Sequence, residues 1–119
     1  MNVESLERML ARGRDDALLR FSLGTAYIQA GDLTAAIVHL KAAIAHKPEY
    51  SAAWKALGKA LVDSGRLHEA AQSYTQGIAA AQAHGDLQAA KEMGVFSRRT
   101  QKALAAQDAD AAADSTERD

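Results

Sequence analysis

Cysteine is absent from the 119 residues, and with it go a disulfide framework, a thiolate metal site and a cysteine nucleophile. Proline occurs once, aromatic residues make up 5% of the chain and β-branched residues are few, so little favours sheet. No apolar run approaches the roughly 20 residues that cross a bilayer, and Met1-Asn2-Val3-Glu4-Ser5 lacks the basic patch and apolar core of a secretory leader. A cytoplasmic protein that meets no membrane is the expectation. Charge of either sign is also scarce in sum, at −1 overall. Residues 107–119 hold five acids against one base, a net of −4, and the other 106 residues carry 13 bases and 10 acids, a net of +3. That surplus is too small for a nucleic-acid footprint, which needs a clearly basic face. Alanine is what the chain has in plenty. It gives up no side-chain entropy in a helix, and a length of 119 residues fits one small domain able to bury about two-thirds of its unfolded surface.

Helical punctuation divides the chain. Asn2 caps a first helix over 3–12 with Val3, Leu6 and Leu10 on one face, and Gly13 ends it. Asp15 or Asp16 opens a second helix that is apolar on more than one side. Gly31 supplies a left-handed stop, and Asp32 caps a third helix over 33–46. A connection this short folds the pair back antiparallel. Pro48 closes the hairpin, Ser51 caps a fourth helix over 51–64, and a fifth runs from about 67 to 83 after Gly65. Gly85-Asp86 repeats the stop and cap before a sixth helix ending near Ala106. The Asp- and Ala-rich residues 107–119 show no apolar periodicity and are expected to be disordered.

Beneath the punctuation lies a repeat. Trp54, Leu57, Gly58, Leu61, Ala70, Tyr74 and Gly77 stand 34 residues after Arg20, Leu23, Gly24, Tyr27, Ala36, Leu40 and Ala43. Small residues at Gly24, Gly58, Ala36 and Ala70 fit close helix crossings, where a larger substituent would push the backbones apart. The period and the pattern resemble the tetratricopeptide repeat, over about residues 17–84. The resemblance implies an all-α, right-handed helix-turn-helix solenoid forming one domain over 1–106. Its parts are an N-terminal helix (1–13), two repeats (17–50 and 51–84) and a capping helix (86–106), followed by the disordered tail. In the capping helix Lys91 and Glu92 fall where the template has Leu and Gly, and a solenoid end needs a helix that is polar on its outer side. Trp54, Tyr27 and Tyr74 sit at inward positions and read as core.

The resemblance further implies a non-catalytic protein-interaction module. The first helix of each unit lines a concave groove, here through Leu18, Phe21, Thr25, Ile28 and Gln29, then Ala52, Lys55, Lys59, Val62 and Asp63. Lys55 and Lys59, one turn apart, can meet a carboxylate of an acidic peptide or simply form a solvated face. The carboxylate clamp of chaperone-binding members is not reproduced, since Phe21 and Thr25 occupy the first unit's clamp positions and Ala56 replaces the second unit's Asn. The alternative is a homo-oligomeric assembly subunit that associates through the groove or the end helix, so monomer or weak homodimer is expected. The acidic tail can also fold back over Lys55 and Lys59, and Arg98, Arg99 and Lys102 can solvate the cap or pair with that tail.

Signals for catalysis fail individually, and no enzyme, cofactor or metal is expected. His68-Glu69 begins like a zinc-protease helix, but Gln72 occupies the second ligand's place. Gly58-Lys59 has no glycine-rich loop before it. His39 and His46, two turns apart, read as solvated surface residues, and no serine shows a His-acid pattern.

Overall fold

A computed structural model describes residues 2–117, and every element in it is an α-helix: α1 (Val3–Ala11), α2 (Ala17–Gln29), α3 (Leu33–His46), α4 (Ser51–Asp63), α5 (Leu67–Ala83) and α6 (Leu87–Glu117). Helix starts follow the acidic and amide caps. Asn2, Asp16, Asp32 and Asp86 accept through their side chains from the backbone N–H of Ser5, Leu19, Ala35 and Ala89, at 2.9, 2.8, 3.0 and 3.2 Å. At α4 the expected cap is corrected: Tyr50 takes the cap position, where its ring packs on Phe21 with centroids 5.0 Å apart, and Ser51 becomes the first helical residue. Four helix ends, those of α1, α2, α4 and α5, share one device. At Gly31 (φ +82°) the Gly31 N–H donates to Ile28 O and the Asp32 N–H to Tyr27 O, and the same pair of bonds recurs at Gly13, Gly65 and Gly85. This motif needs a left-handed residue, which glycine adopts without a Cβ penalty.

The helices stack in chain order into a solenoid. α2, α4 and α6 touch in succession as one layer, and α3 and α5 pack on its other side. The two hairpins cross at their glycines: a Cβ on Gly24 would lie 2.6 Å from Leu40 Cδ2, and one on Gly58 would lie 2.5 Å from Tyr74 Cζ and closer still to Cε1. Core clusters then follow one another along the stack. Leu6, Leu19 and Leu23 lie at one end; Ile37, Leu40, Leu57, Leu61 and Ala70 at the centre; Tyr74, Ala81, Ala90 and Met93 at the other end. Each fully buried large side chain among them contributes about 1.5–3 kcal/mol. Trp54 packs against the last cluster, and its indole N–H donates to the Pro48 carbonyl at 2.7 Å.

Where disorder was expected over 107–119, α6 continues as helix to Glu117 and runs for 31 residues, about 46 Å. Arg118 and Asp119 lie outside the described residues. Expectation and structure differ because disorder was inferred from the lack of anything to bury. A helix already nucleated by packing extends by one hydrogen bond per residue, and Ala109, Ala111, Ala112 and Ala113 extend it at least entropic cost.

Candidate functional site

The inner layer carries two adjoining clefts. Between α2 and α4, Thr25, Ile28, Gln29, Ala56, Lys59, Ala60 and Asp63 line a space of about 260 Å³. Between α4 and α6, Lys59, Val62, Asp63, Tyr74, Phe96, Arg99 and Thr100 line one of about 230 Å³. Both are walled mainly by apolar atoms. Lys59 and Asp63, one turn apart on α4, belong to both clefts and form the ridge between them. Among the described residues Lys59 and Arg99 form no ion pair, and the Arg99 guanidinium lies 6.0 Å from the centre of the Phe96 ring.

Six of the ten residues expected in the groove thus come together: Thr25, Ile28, Gln29, Lys59, Val62 and Asp63. The other four are placed elsewhere. Leu18 lines a larger cleft of about 480 Å³ between α1 and α2 with Leu6, Met9 and Arg14, and Thr25 and Gln29 border both this cleft and the one between α2 and α4. Phe21 turns its ring onto Tyr50. Ala52 and Lys55 border a small cleft with Asp86, Gln88 and Glu92. Lys55 is not paired with Lys59 as a clamp, because its Nζ lies 2.6 Å from Glu92 Oε2 on α6, while Gln88 Nε2 donates to Glu92 Oε1 at 3.0 Å. The Lys55 ammonium and then the Gln88 amide hold the Glu92 carboxyl below the usual carboxylate range. Phe96 and Arg99 were not expected on the groove because α6 was taken as a cap. A signal existed: Phe96 follows Val62 by the same 34 residues that relate the two units.

A second polar assembly seals the opposite end. The Tyr27 hydroxyl donates to Glu7 Oε1 at 2.7 Å, and Glu7 Oε1 lies 3.4 Å from His39 Nε2. The Tyr27 and His39 rings stack at 5.4 Å. Arg20 Nη1 donates to His39 Nδ1 at 3.0 Å, which leaves the ring proton on Nε2 because a guanidinium can only donate. Arg20 also forks onto both oxygens of Asp15, at 2.7 and 2.9 Å, and His46 Nε2 reaches Asp15 Oδ1 at 2.9 Å. Burial lowers the His39 pKa against the opposing charge of Glu7, and the Arg20 and then His46 contacts hold the Asp15 carboxyl well below its ordinary value. The expectation of a solvated His39 is therefore corrected: its surroundings come from α1 and α2, which its own helix does not reveal, and only 9% of the residue is exposed.

Glu69 of the His68-Glu69 pair is engaged by Arg66 at 2.7 and 2.8 Å, and among the described residues no three His, Asp or Glu gather where a metal ion would sit. No described helix is long and apolar enough to cross a membrane.

Comparison with known proteins gives a consistent result. Two sequence profiles described as tetratricopeptide repeat match, one over residues 27–93 and one over 3–45. A TPR repeat-containing protein of Pseudomonas aeruginosa is 52% identical over 103 residues, covering 87% of this chain and 98% of its own length. Among solved structures, a Bordetella parapertussis protein studied in solution is 48% identical with a TM-score of 0.73, covering 84% of this chain and 87% of that one. The TPR2B domain of yeast Sti1, solved in complex with pHsp70, matches with a TM-score of 0.77 over 84% of this chain and 80% of that one. At 16% identity this is a likeness of fold alone.

Proposed function

The chain belongs to the tetratricopeptide repeat family, and from that premise we propose that it is a non-catalytic module holding another protein or peptide against its inner wall. The observation that carries this reading is the ridge of Lys59 and Asp63 between two apolar clefts. An apolar side chain of the partner fits each cleft. An acidic residue between those anchors meets Lys59 or Arg99, and a donor meets Asp63. Packed hairpins keep the wall rigid, so little additional order is lost on this side when a partner docks. The proposed surface is Thr25, Ile28, Gln29, Lys59, Val62 and Asp63, extended by Phe96 and Arg99. Leu18, Phe21, Ala52 and Lys55 flank it. The Sti1 domain, alike in fold, supports a polypeptide occupant by forming its complex with pHsp70.

The test is an amide-shift titration with short acidic peptides carrying two apolar residues. Shifts are expected at Ile28, Lys59, Val62 and Phe96, with Lys59→Glu weakening binding about tenfold. Shifts confined to α3 and α5 would overturn the reading.

A further inference from the structure

Tyr74 stands on α5, in the layer behind the inner wall, yet it lines the cleft between α4 and α6. Its ring reaches there across the bare backbone of Gly58, where an added Cβ would run into ring carbons. The residue is 2% exposed, and among the described residues its hydroxyl enters no hydrogen bond. No side-chain oxygen or nitrogen among the described residues is both sealed from solvent and without a partner, so the phenol oxygen is the part of Tyr74 that opens on the cleft. Burial and then the charge of Asp63, on the ridge of that cleft, push its pKa up to about 12, so the hydroxyl keeps its proton and is free to donate it.

The surroundings of that donor select its acceptor. Lys59 and Arg99 line the same cleft, are exposed and form no ion pair among the described residues, while Asp63 opposes them with a single negative charge. The balance is one positive charge, which favours an anion and repels a cationic donor. Thr100 adds no second donor, because its hydroxyl proton goes to the Phe96 carbonyl at 2.8 Å. Val62 and Phe96 supply apolar wall, against which methylene groups gain and a peptide amide would lose its water. The molecule already contains such a pairing once, where the Tyr27 hydroxyl donates to Glu7 Oε1 at 2.7 Å.

Resting on the reading of the inner wall as a binding surface, we propose that the cleft between α4 and α6 is a subsite for a glutamate side chain of the bound polypeptide, whose carboxylate accepts from the Tyr74 hydroxyl at the floor and faces Lys59 and Arg99 at the rim. The methylenes of that glutamate lie along Val62 and Phe96, so in this cleft the partner's apolar contact and its acidic group belong to one side chain. The cleft between α2 and α4 keeps an aliphatic residue, since Ile28, Ala56 and Ala60 line it and the Thr25 hydroxyl is spent on the Ser22 carbonyl at 3.0 Å. Aspartate, one methylene shorter, stops short of the floor. A chain terminus brings a peptide amide in with its carboxylate and has to strip that amide of water against Val62 and Phe96. Tyr74 is thereby a specificity-determining residue of the wall.

The probes are peptides blocked at both ends that carry one leucine and, a few residues further on, one glutamate, titrated into the full chain by calorimetry and amide shifts. They are expected to move the Val62 and Phe96 amides, and Tyr74→Phe is expected to weaken them about tenfold, the size of a hydrogen bond to a charged acceptor. With leucine or aspartate in place of the glutamate, the same variant is expected to change affinity less than about twofold. The urea midpoint of Tyr74→Phe is expected to match that of the wild type, because no internal hydrogen bond is lost. Glutamate peptides indifferent to Tyr74→Phe overturn the proposal, as does an equal loss for the leucine peptides. A peptide without glutamate whose free C-terminal carboxylate acquires the same dependence on Tyr74 also overturns it, and assigns the subsite to a chain end. If leucine peptides move the Lys59 and Phe96 amides while glutamate adds no affinity, the subsite fails and the wall remains a binding surface. If no peptide moves them, both readings fail.

Discussion

At matching points of the two hairpins, 34 residues apart, Arg20 stands where Trp54 does, Leu40 where Tyr74 does and Ala43 where Gly77 does, while Gly24 and Gly58 are the same. In the first hairpin a polar network runs beside the apolar crossing, with Arg20, Asp15, His39, Tyr27 and Glu7 linked across α1, α2 and α3. In the second they are aromatic and thioether: Tyr74, Trp54, Phe96 and Met93 close around α4, α5 and α6. One backbone arrangement is therefore compatible with two kinds of seal. What the arrangement demands is a residue without a side chain at the crossing and a bulky one opposite; the remaining chemistry is free to vary, and so is the condition under which each end fails.

The sharpest way to separate the two halves is to add one methyl group at each crossing. Gly58→Ala drives a Cβ against the buried Tyr74 ring, which has no flexible end to move aside, and an overpacking cost of about 1–3 kcal/mol outweighs the gain of about 1 kcal/mol from alanine's helix propensity. Urea unfolding is expected to show a net loss near the top of what those figures allow, about 2 kcal/mol. Gly24→Ala meets a Leu40 side chain that can change rotamer, so its expected loss is smaller, about 1 kcal/mol. Equal losses would show that the filler's stiffness is irrelevant.

Titration separates the ends next. His39 has a pKa below its ordinary value of 6.5 when folded, so the unfolded chain takes up the proton first, and stability at the α1–α3 end is present above that value and falls as pH drops below it. Tyr74 has its pKa pushed up to about 12 by burial and then by the charge of Asp63; the unfolded phenol ionises near pH 10, so stability there is lost as pH rises beyond that value. Hydrogen exchange is expected to quicken first in α1 under acid and first in α5 under alkali. His39→Phe removes the first dependence and Tyr74→Phe the second; an acid response that survives His39→Phe assigns it to the carboxylates instead. The smallest effect is expected from Glu92→Ala. The Lys55–Glu92 pair is about 40% exposed on each side, so a double-mutant cycle with Lys55→Met should return a coupling indistinguishable from zero.

The features that could be read from the sequence are those written within a few residues or at a fixed interval. Gly31-Asp32 announces a stop and a start by itself, and the interval from Gly24 to Gly58 announces a stacked repeat. Thr25, Ile28, Lys59 and Val62 follow from the same interval once the unit's inner side is assigned. Lys55 could not be read in this way, because the carboxylate that neutralises it lies 37 residues further on, at a position where the template predicts glycine. Nor could the burial of His39, which depends on side chains from two other helices, or the helical state of residues 107–117, where propensity acts without burial.

The turns at Gly31, Gly65 and Gly85 are closed by the same two backbone bonds, and the second of them measures 2.9, 2.8 and 2.8 Å. They act as interchangeable couplings, indifferent to whether Asp32, Arg66 or Asp86 comes next. The segment from Gly31 to Gly65 holds α3 and α4, one helix of each layer, so repeating it between these two joints lengthens the stack by a whole unit in phase.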